Sequence, residues 1–122
     1  MFDHLSIKVS DFEKSKAFYT AALAPLGFNI VKDVPERSAV AFGIERPQFW
    51  VKLGDTSKVP LHFAFKAKSR AEVDAFYAGA IAAGGKDNGA PGPRQKEYSL
   101  HCYAAFVFDP DGNNVEVDCH TL

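Results

Sequence analysis

Two histidines and one glutamate are the residues of this sequence whose types could together hold a metal ion. His4 and His62 stand 58 residues apart, and Glu116 lies near the end of the chain. Two imidazoles and one carboxylate form a ligand set that binds Fe(II), Mn(II) or Zn(II) and leaves positions open for substrate or water. A metal site at these residues requires that the fold bring all three side chains to one surface.

The two histidines occupy equivalent positions of an internal repeat. Residues 4–27 (HLSIKVSDFEKSKAFYTAALAPLG) align without gaps with residues 62–85 (HFAFKAKSRAEVDAFYAGAIAAGG), and eight of the 24 positions are identical. Unrelated segments of this length share far fewer residues, so the chain is predicted to contain a duplicated module. We place module one at residues 1–53, a linker at 54–59 and module two at 60–122.

Each module is predicted to have the element order β-α-β-β-β. Both begin with an alternating strand, at residues 4–9 and 62–67. A helix follows in each, and the patterns Ser10-x-x-Glu13 and Ser69-x-x-Glu72 fit helix-capping boxes. The first helix is expected to end near Pro25 and Gly27, and the second at residues 84–85. Further strands are predicted at 28–32, 38–43, 48–53, 101–108 and 114–119, with a weak one near residue 86.

Two connections of the second module stand out by composition. Residues 109–112 (DPDG) are typical of a tight turn in which Gly112 adopts a positive φ. Residues 87–97 (DNGAPGPRQKE) are rich in glycine and proline, and we expect them to form a loop without regular structure. Such a loop either carries functional residues or is a plain surface connection.

Strand alternation places the candidate ligands on one side of the sheet. In the first strand His4, Ser6 and Lys8 oppose three apolar residues that must face a helix. His62 and Glu116 are predicted to lie on the same side by the same alternation. The repeat also aligns Lys52 with Glu116, although a protonated lysine has no lone pair for a metal. Lys52 could hold an anionic substrate, pair with Glu116 in a metal-free pocket, or be a surface residue.

Composition excludes several classes of protein. The 122 residues are 47% hydrophobic and 24% charged, which is typical of one globular domain and excludes a disordered chain. A net charge of −1 argues against nucleic acid and the membrane surface as partners. Neither a membrane span nor a signal peptide is recognisable, so we expect a cytoplasmic protein with reduced Cys102 and Cys119. A zinc cluster with the neighbouring His101 and His120 is disfavoured, because adjacent strand residues point to opposite faces.

The sequence resembles the vicinal oxygen chelate superfamily, also called the glyoxalase/bleomycin resistance/dioxygenase family. The resemblance covers essentially the whole chain and is carried by DHLSIKVSDFEKSKAFY, LHFAFKA and, most specifically, AAFVFDPDGNNVEV. It implies an α+β fold of two paired βαβββ modules, forming a curved, cup-shaped mixed sheet with helices on the outer face. It also implies a divalent metal (Mn, Fe, Ni or Zn) bound by His4, His62 and Glu116, a small-molecule substrate, and a homodimer.

Departures from the family patterns restrict the choice of subfamily. Glyoxalase I enzymes carry a fourth, acidic or amide ligand at the position that we align with Lys52, so classical glyoxalase I chemistry is not expected. Extradiol dioxygenases and fosfomycin-resistance transferases carry a tyrosine where this chain has Phe106. The transferases also resemble the chain in Trp50 and, in a loop that is hard to align, in Lys96. If the protein is a metal-dependent enzyme of this family, we expect the pocket to be lined by Trp50, Lys52 and Phe106. The candidates for binding an acidic group are then Arg94 and Lys96.

Two functions therefore remain open from the sequence. The first is a metal-dependent lyase, transferase or dioxygenase that polarises an oxygen-bearing substrate by Lewis-acid action. The second is a metal-free binding protein of the bleomycin-resistance kind, in which Lys52 neutralises Glu116. Metal analysis distinguishes the two functions directly.

Overall fold

The computed structural model describes residues 1–94 and 101–121 and contains two similar halves. The first half consists of β1 (Leu5–Val9), α1 (Phe12–Leu23), β2 (Asn29–Val34), β3 (Ala39–Gly43) and β4 (Phe49–Leu53). The second consists of β5 (His62–Lys66), α2 (Arg70–Ala82), β6 (Lys86–Pro93), β7 (Tyr103–Phe108) and β8 (Asn114–Cys119). Short 3₁₀ turns at Ala24–Leu26 and Pro35–Arg37 complete the first half.

Each half forms a four-stranded mixed sheet with the same strand order. The first sheet runs β1-β4-β3-β2 and the second β5-β8-β7-β6. In both, the strand before the helix pairs in parallel with the last strand of the half, and the remaining neighbours are antiparallel. This is the predicted α+β fold of two βαβββ modules, as open curved sheets.

One face of each sheet is buried against the helices. Ile7, Val9 and Val51 in the first sheet and Val115 and Val117 in the second have at most 2% of their surface exposed. We call the opposite face, which carries the alternate residues, the open face of each sheet. Helices α1 and α2 pack against one another, so both halves share one core. No helix in the described part of the chain is long and apolar enough to cross a membrane.

Aromatic rings join the two halves inside this core. The ring of Phe49, on β4, lies 5.6 Å from that of Phe63 and 5.2 Å from that of Phe65, both on β5. Phe18 and Phe76, identical positions of the repeat, are both fully buried. Burial of each such ring stabilises the fold by about 1.5–3 kcal/mol relative to an exposed ring.

The capping prediction was correct for α2 and wrong for α1. At α2 the Ser69 hydroxyl accepts from the Glu72 N–H, and the Glu72 carboxylate accepts from the Lys68 N–H. At α1 the cap is Asp11, whose carboxylate accepts from the Lys14 N–H. Ser10 instead donates from its backbone N–H and its hydroxyl to Asp111, in the turn before β8. An aspartate one residue later competes for the cap, and carboxylates cap helices as well as hydroxyls do.

The expectation that residues 87–97 form a loop was also wrong for residues 87–93. Strand β6 extends through Pro93, with the pairing register shifting on either side of Gly89. It lies at the edge of the sheet, where prolines and bulges are tolerated because only one side of the strand needs hydrogen-bond donors. Residues 95–97 fall outside the described residues.

The turn at residues 109–112 agrees with its prediction. Gly112 has φ +84° and donates its N–H to the Asp109 carbonyl. A Cβ placed on Gly112 would meet no atom within 4 Å, so any cost of substitution comes from backbone strain rather than from a clash.

We expect Gly112→Val to lower the free energy of unfolding by about 1–3 kcal/mol, measured by urea denaturation. Gly112→Asn is the matched control and should cost less, because asparagine tolerates the left-handed region. Equal losses for both variants would contradict strain as the cause.

Candidate functional site

His62 and Glu116 form the closest pair of metal-ligating side chains on the open face of the second sheet. They lie on the adjacent parallel strands β5 and β8, where Ala64 is the register partner of Glu116. His62 Nε2 is 2.8 Å from Glu116 Oε2. Only 3% of Glu116 is exposed, whereas the His62 side chain is 52% exposed. A carboxylate so buried requires a polar or cationic partner, which the imidazole provides.

The same two atoms are placed as neighbouring metal ligands would be. Metal bonds to histidine nitrogen and carboxylate oxygen measure about 2.0–2.2 Å, so two adjacent ligand atoms are roughly 3 Å apart. The His62–Glu116 separation matches this spacing. An imidazole nitrogen and a carboxylate oxygen are both ligands of divalent metals, and a bound metal ion would take the place of the hydrogen bond that joins them here.

His4, the third candidate ligand, does not join them within one chain. Its Nδ1 lies 2.8 Å from Asp3 Oδ1, and Asp3 also pairs with Arg46 at 3.2 Å. The His4 hydrogen bond, followed by the charge of Arg46, lowers the pKa of Asp3. Within residues 1–94 and 101–121, no group of three His, Cys, Asp or Glu side chains could hold a metal ion. His4 and His62 do line the same open, mainly apolar cavity of about 590 Å³.

A buried carboxylate fixes the positions of His62 and Glu116 relative to one another. Asp109 accepts hydrogen bonds from the Tyr19 hydroxyl at 2.5 Å and from the Asn113 backbone and side chain at 2.9 Å each. The Asn113 side chain in turn accepts from the Leu61 N–H at 2.9 Å. These bonds join α1 to the residues directly before β5 and β8. The sequence predicted the turn but not this network. The aspartate at the first position of the turn was the signal that could have indicated the network.

Comparison with known proteins agrees with this architecture. The family model of the Glyoxalase/Bleomycin resistance protein/Dioxygenase superfamily matches residues 1–117. The chain belongs to this superfamily. No curated protein matches the sequence.

Solved structures of superfamily proteins resemble the chain over nearly its whole length. A glyoxalase/bleomycin resistance protein from Albidiferax ferrireducens T118 is 30% identical, with a TM-score of 0.82 and 98% of each chain covered. The fosfomycin resistance protein FosX from Mesorhizobium loti is 18% identical, with a TM-score of 0.71, over 100% of this chain and 93% of that one.

A second FosX structure was solved with ligands. The E126Q mutant of FosX from Listeria monocytogenes, in complex with Mn(II) and 1S,2S-dihydroxypropylphosphonic acid, is 20% identical to this chain. Its TM-score is 0.71, and the match covers 100% of this chain and 91% of that chain. Identities this low establish a common fold.

Strand register corrects one correspondence that we expected within this superfamily fold. Ser6 pairs with Trp50 in the first sheet, as the equivalent Ala64 pairs with Glu116 in the second. The counterpart of Glu116 is therefore Trp50, and Lys52, which we had aligned with it, corresponds to Asp118. The segments between the paired strands differ in length in the two halves, so a local sequence match could not fix this register. Lys52 Nζ lies 5.0 Å from the centre of the Trp50 ring, at cation–π distance.

The remaining predicted substrate contacts divide between the two sheets. Phe106 is the register partner of Glu116, and its ring centre lies 6.4 Å from that of His62. The Arg94 guanidinium lies 5.6 Å from the Phe106 ring and donates to the Ala90 carbonyl. Trp50 and Lys52 lie on the open face of the first sheet, apart from this group. Lys96 lies outside the described residues.

A buried thiol, that of Cys102, lies next to this group. Burial, followed by the charges of Asp118 and Glu116, raises the pKa of Cys102, so it stays protonated at neutral pH. The Arg94 N–H donates to the Cys102 carbonyl at 2.8 Å, which holds Arg94 beside the second sheet.

We expect Tyr19→Phe to lower the free energy of unfolding by about 1–3 kcal/mol, because a buried carboxylate loses one donor. Tyr77→Phe is the matched control at the equivalent repeat position, where the hydroxyl donates to Asp87 at the surface, and its effect should be smaller. Denaturant titration measures both. Equal effects would contradict a special role for the buried bond.

Tyr19 should also shape stability in alkaline solution. Burial and the negative charge of Asp109 raise its pKa well above the usual value of about 10. Above about pH 10 the unfolded chain loses the Tyr19 proton that the folded chain keeps, so the free energy of unfolding falls as pH rises. In Tyr19→Phe this part of the loss of stability at alkaline pH should be absent.

Proposed function

We propose that this protein is a divalent-metal enzyme of the superfamily that acts on a small oxygen-bearing substrate. Its metal ligands would be His62 and Glu116 of one chain and His4 of a second copy. The observation that supports this proposal is the His62–Glu116 pair, a nearly buried carboxylate and a half-exposed imidazole at the spacing of adjacent ligands. A bound metal would act as a Lewis acid on a substrate oxygen.

The residues around the pair suit substrate binding rather than proton transfer. Phe106 offers an apolar surface directly beside Glu116 and has no proton to donate. Arg94, held over the Phe106 ring, can attract an acidic group of the substrate. Among the described residues, Phe106 and Arg94 would therefore orient the substrate and limit the access of water to the metal.

The ligand set is compatible with Mn, Fe, Ni or Zn. Two histidine nitrogens and one carboxylate oxygen satisfy the coordination preferences of all four ions, so geometry and supply decide which one binds. The FosX protein crystallised with Mn(II) makes manganese the first ion to test.

A homodimer would provide the missing ligand and cover apolar surface. Met1, Phe2 and Leu5 flank His4 with 120%, 89% and 39% relative exposure, and line the cavity that also contains His62. Exposed apolar side chains grouped in this way are typical of a contact surface. A two-fold dimer built on this surface would place His4 of each copy at its partner.

Metal retention provides the first test. We expect purified protein, loaded with Mn(II), Fe(II), Ni(II) or Zn(II) and then dialysed, to retain about one metal per chain by elemental analysis. His62→Ala and Glu116→Gln should lose it, whereas the control His120→Ala should keep it. A wild type that retains none of these ions would overturn the enzyme proposal in favour of the metal-free binding protein.

Mixed dimers test whether His4 comes from a second copy. His4→Ala and His62→Ala homodimers should each lack metal, whereas a refolded equal mixture should regain about a quarter of the wild-type amount, because half of its dimers have one intact site. A mixture that stays metal-free would contradict the shared site. A monomer by sedimentation would contradict the dimer itself.

A further inference from the structure

We propose that the open face of the first sheet is a binding site for a ligand with a doubly charged anionic group, such as a phosphate, on a planar apolar body. A cavity of about 340 Å³ lies on this face and contains four cationic side chains. We call it the cationic pocket. It is lined by Lys8, Lys32, Val34, Arg37, Ala39, Trp50, Lys52 and Leu53.

Strand pairing concentrates these charges. Lys8 and Lys52 are register partners on β1 and β4, so their side chains leave the same face side by side. Like charges directly opposite each other destabilise a sheet unless a counter-charge is present. Lys32 and Arg37 complete the group from β2 and the 3₁₀ turn. Strand β3 lies between β2 and β4, and its residue in the cavity wall, Ala39, has a small side chain that leaves space for the cavity.

No acidic residue of the described chain neutralises the pocket. None lines the cavity, and none of its four cations forms an ion pair in the part of the chain that the structure describes. Asp33, next to Lys32, pairs instead with Lys16 of α1 at 2.9 Å. Asp55 lies near Lys8 in a neighbouring cavity without forming an ion pair. Because the chain carries a net charge of −1, this excess of positive charge is local.

The chemistry of the lining residues defines the ligand class. Ammonium and guanidinium groups favour oxyanions, and the planar fork of Arg37 can bind two oxygens of one phosphate. Trp50 is half-buried, and the Lys52 ammonium lies over its ring, so the indole forms a flat wall beside the charges. An isolated inorganic anion would leave this wall without a contact, whereas an organic phosphate would use both features.

This site does not rest on the proposed metal centre. Its cations all belong to the first half, whereas His62 and Glu116 belong to the second sheet. His4, the proposed third metal ligand, precedes β1 and does not line the cationic pocket. Binding can therefore be measured with a chelator present, and His62→Ala should leave it unchanged.

Trp50 is the single tryptophan of the chain, so its fluorescence reports on this pocket alone. We expect phenyl phosphate, titrated at low ionic strength in the presence of EDTA, to change the emission with saturation. Inorganic phosphate should bind several-fold more weakly, and benzyl alcohol should have no saturable effect. Raising the salt concentration should weaken binding, because exposed charges are screened.

Lys32→Met and Lys52→Met should each weaken phenyl phosphate binding by about five- to tenfold, whereas Lys58→Met, a linker lysine outside the pocket, should not. Methionine keeps the aliphatic length, and circular dichroism confirms the fold. Failure of phenyl phosphate to saturate, or equal binding by all three variants, would overturn the proposal. Inorganic phosphate as tight as phenyl phosphate would overturn the role of Trp50.

Discussion

The carboxylate of Asp109 is the constraint on which the arrangement of both halves depends. It is 5% exposed and accepts from Tyr19 in the first half and from Asp111 and Asn113 in its own turn. Asp111, two residues later, binds Ser10 at the end of β1. The turn before β8 is therefore attached both to Ser10, directly after β1, and to Tyr19, within α1. Through Asn113 and Leu61 the same network sets the start of β5, and so the position of His62 beside Glu116.

Local patterns and the internal repeat were sufficient to predict most of the fold. Alternation identified the strands, and the glycine of the turn was placed correctly because only a few residue types adopt positive φ at low cost. The repeat also held the correct cap of α1, since Asp11 aligns with Ser69, but a familiar Ser-x-x-Glu spacing favoured Ser10 instead. Strand β6 was predicted only weakly near residue 86, and its extension to Pro93 was missed. Its glycines and prolines are tolerated only at a sheet edge, a position that sequence alone does not reveal.

The site was less predictable because it depends on pairing between distant strands. His62 and Glu116 are correctly placed on one face by alternation alone. Which residue of the first half is equivalent to Glu116 depends on the register between β1 and β4. A shift of two residues in this register exchanges Lys52 for Trp50 without changing the face of the sheet. The position of His4 relative to this pair depends on how the two halves pack together. No local pattern carries that information.

The two halves retain one topology but now present opposite charge on their open faces. At equivalent positions the first sheet has Trp50 and Lys52 where the second has Glu116 and Asp118. A lysine beside Glu116 would neutralise the carboxylate and compete with any metal for it. Because Glu116 pairs with His62 and Lys52 stacks on Trp50, neither group satisfies the other. Duplication has thus left a His–Glu pair in the second half and a cluster of cations in the first. The two proposed sites follow this difference, with a metal ion beside His62 and Glu116 and an anion beside Lys52.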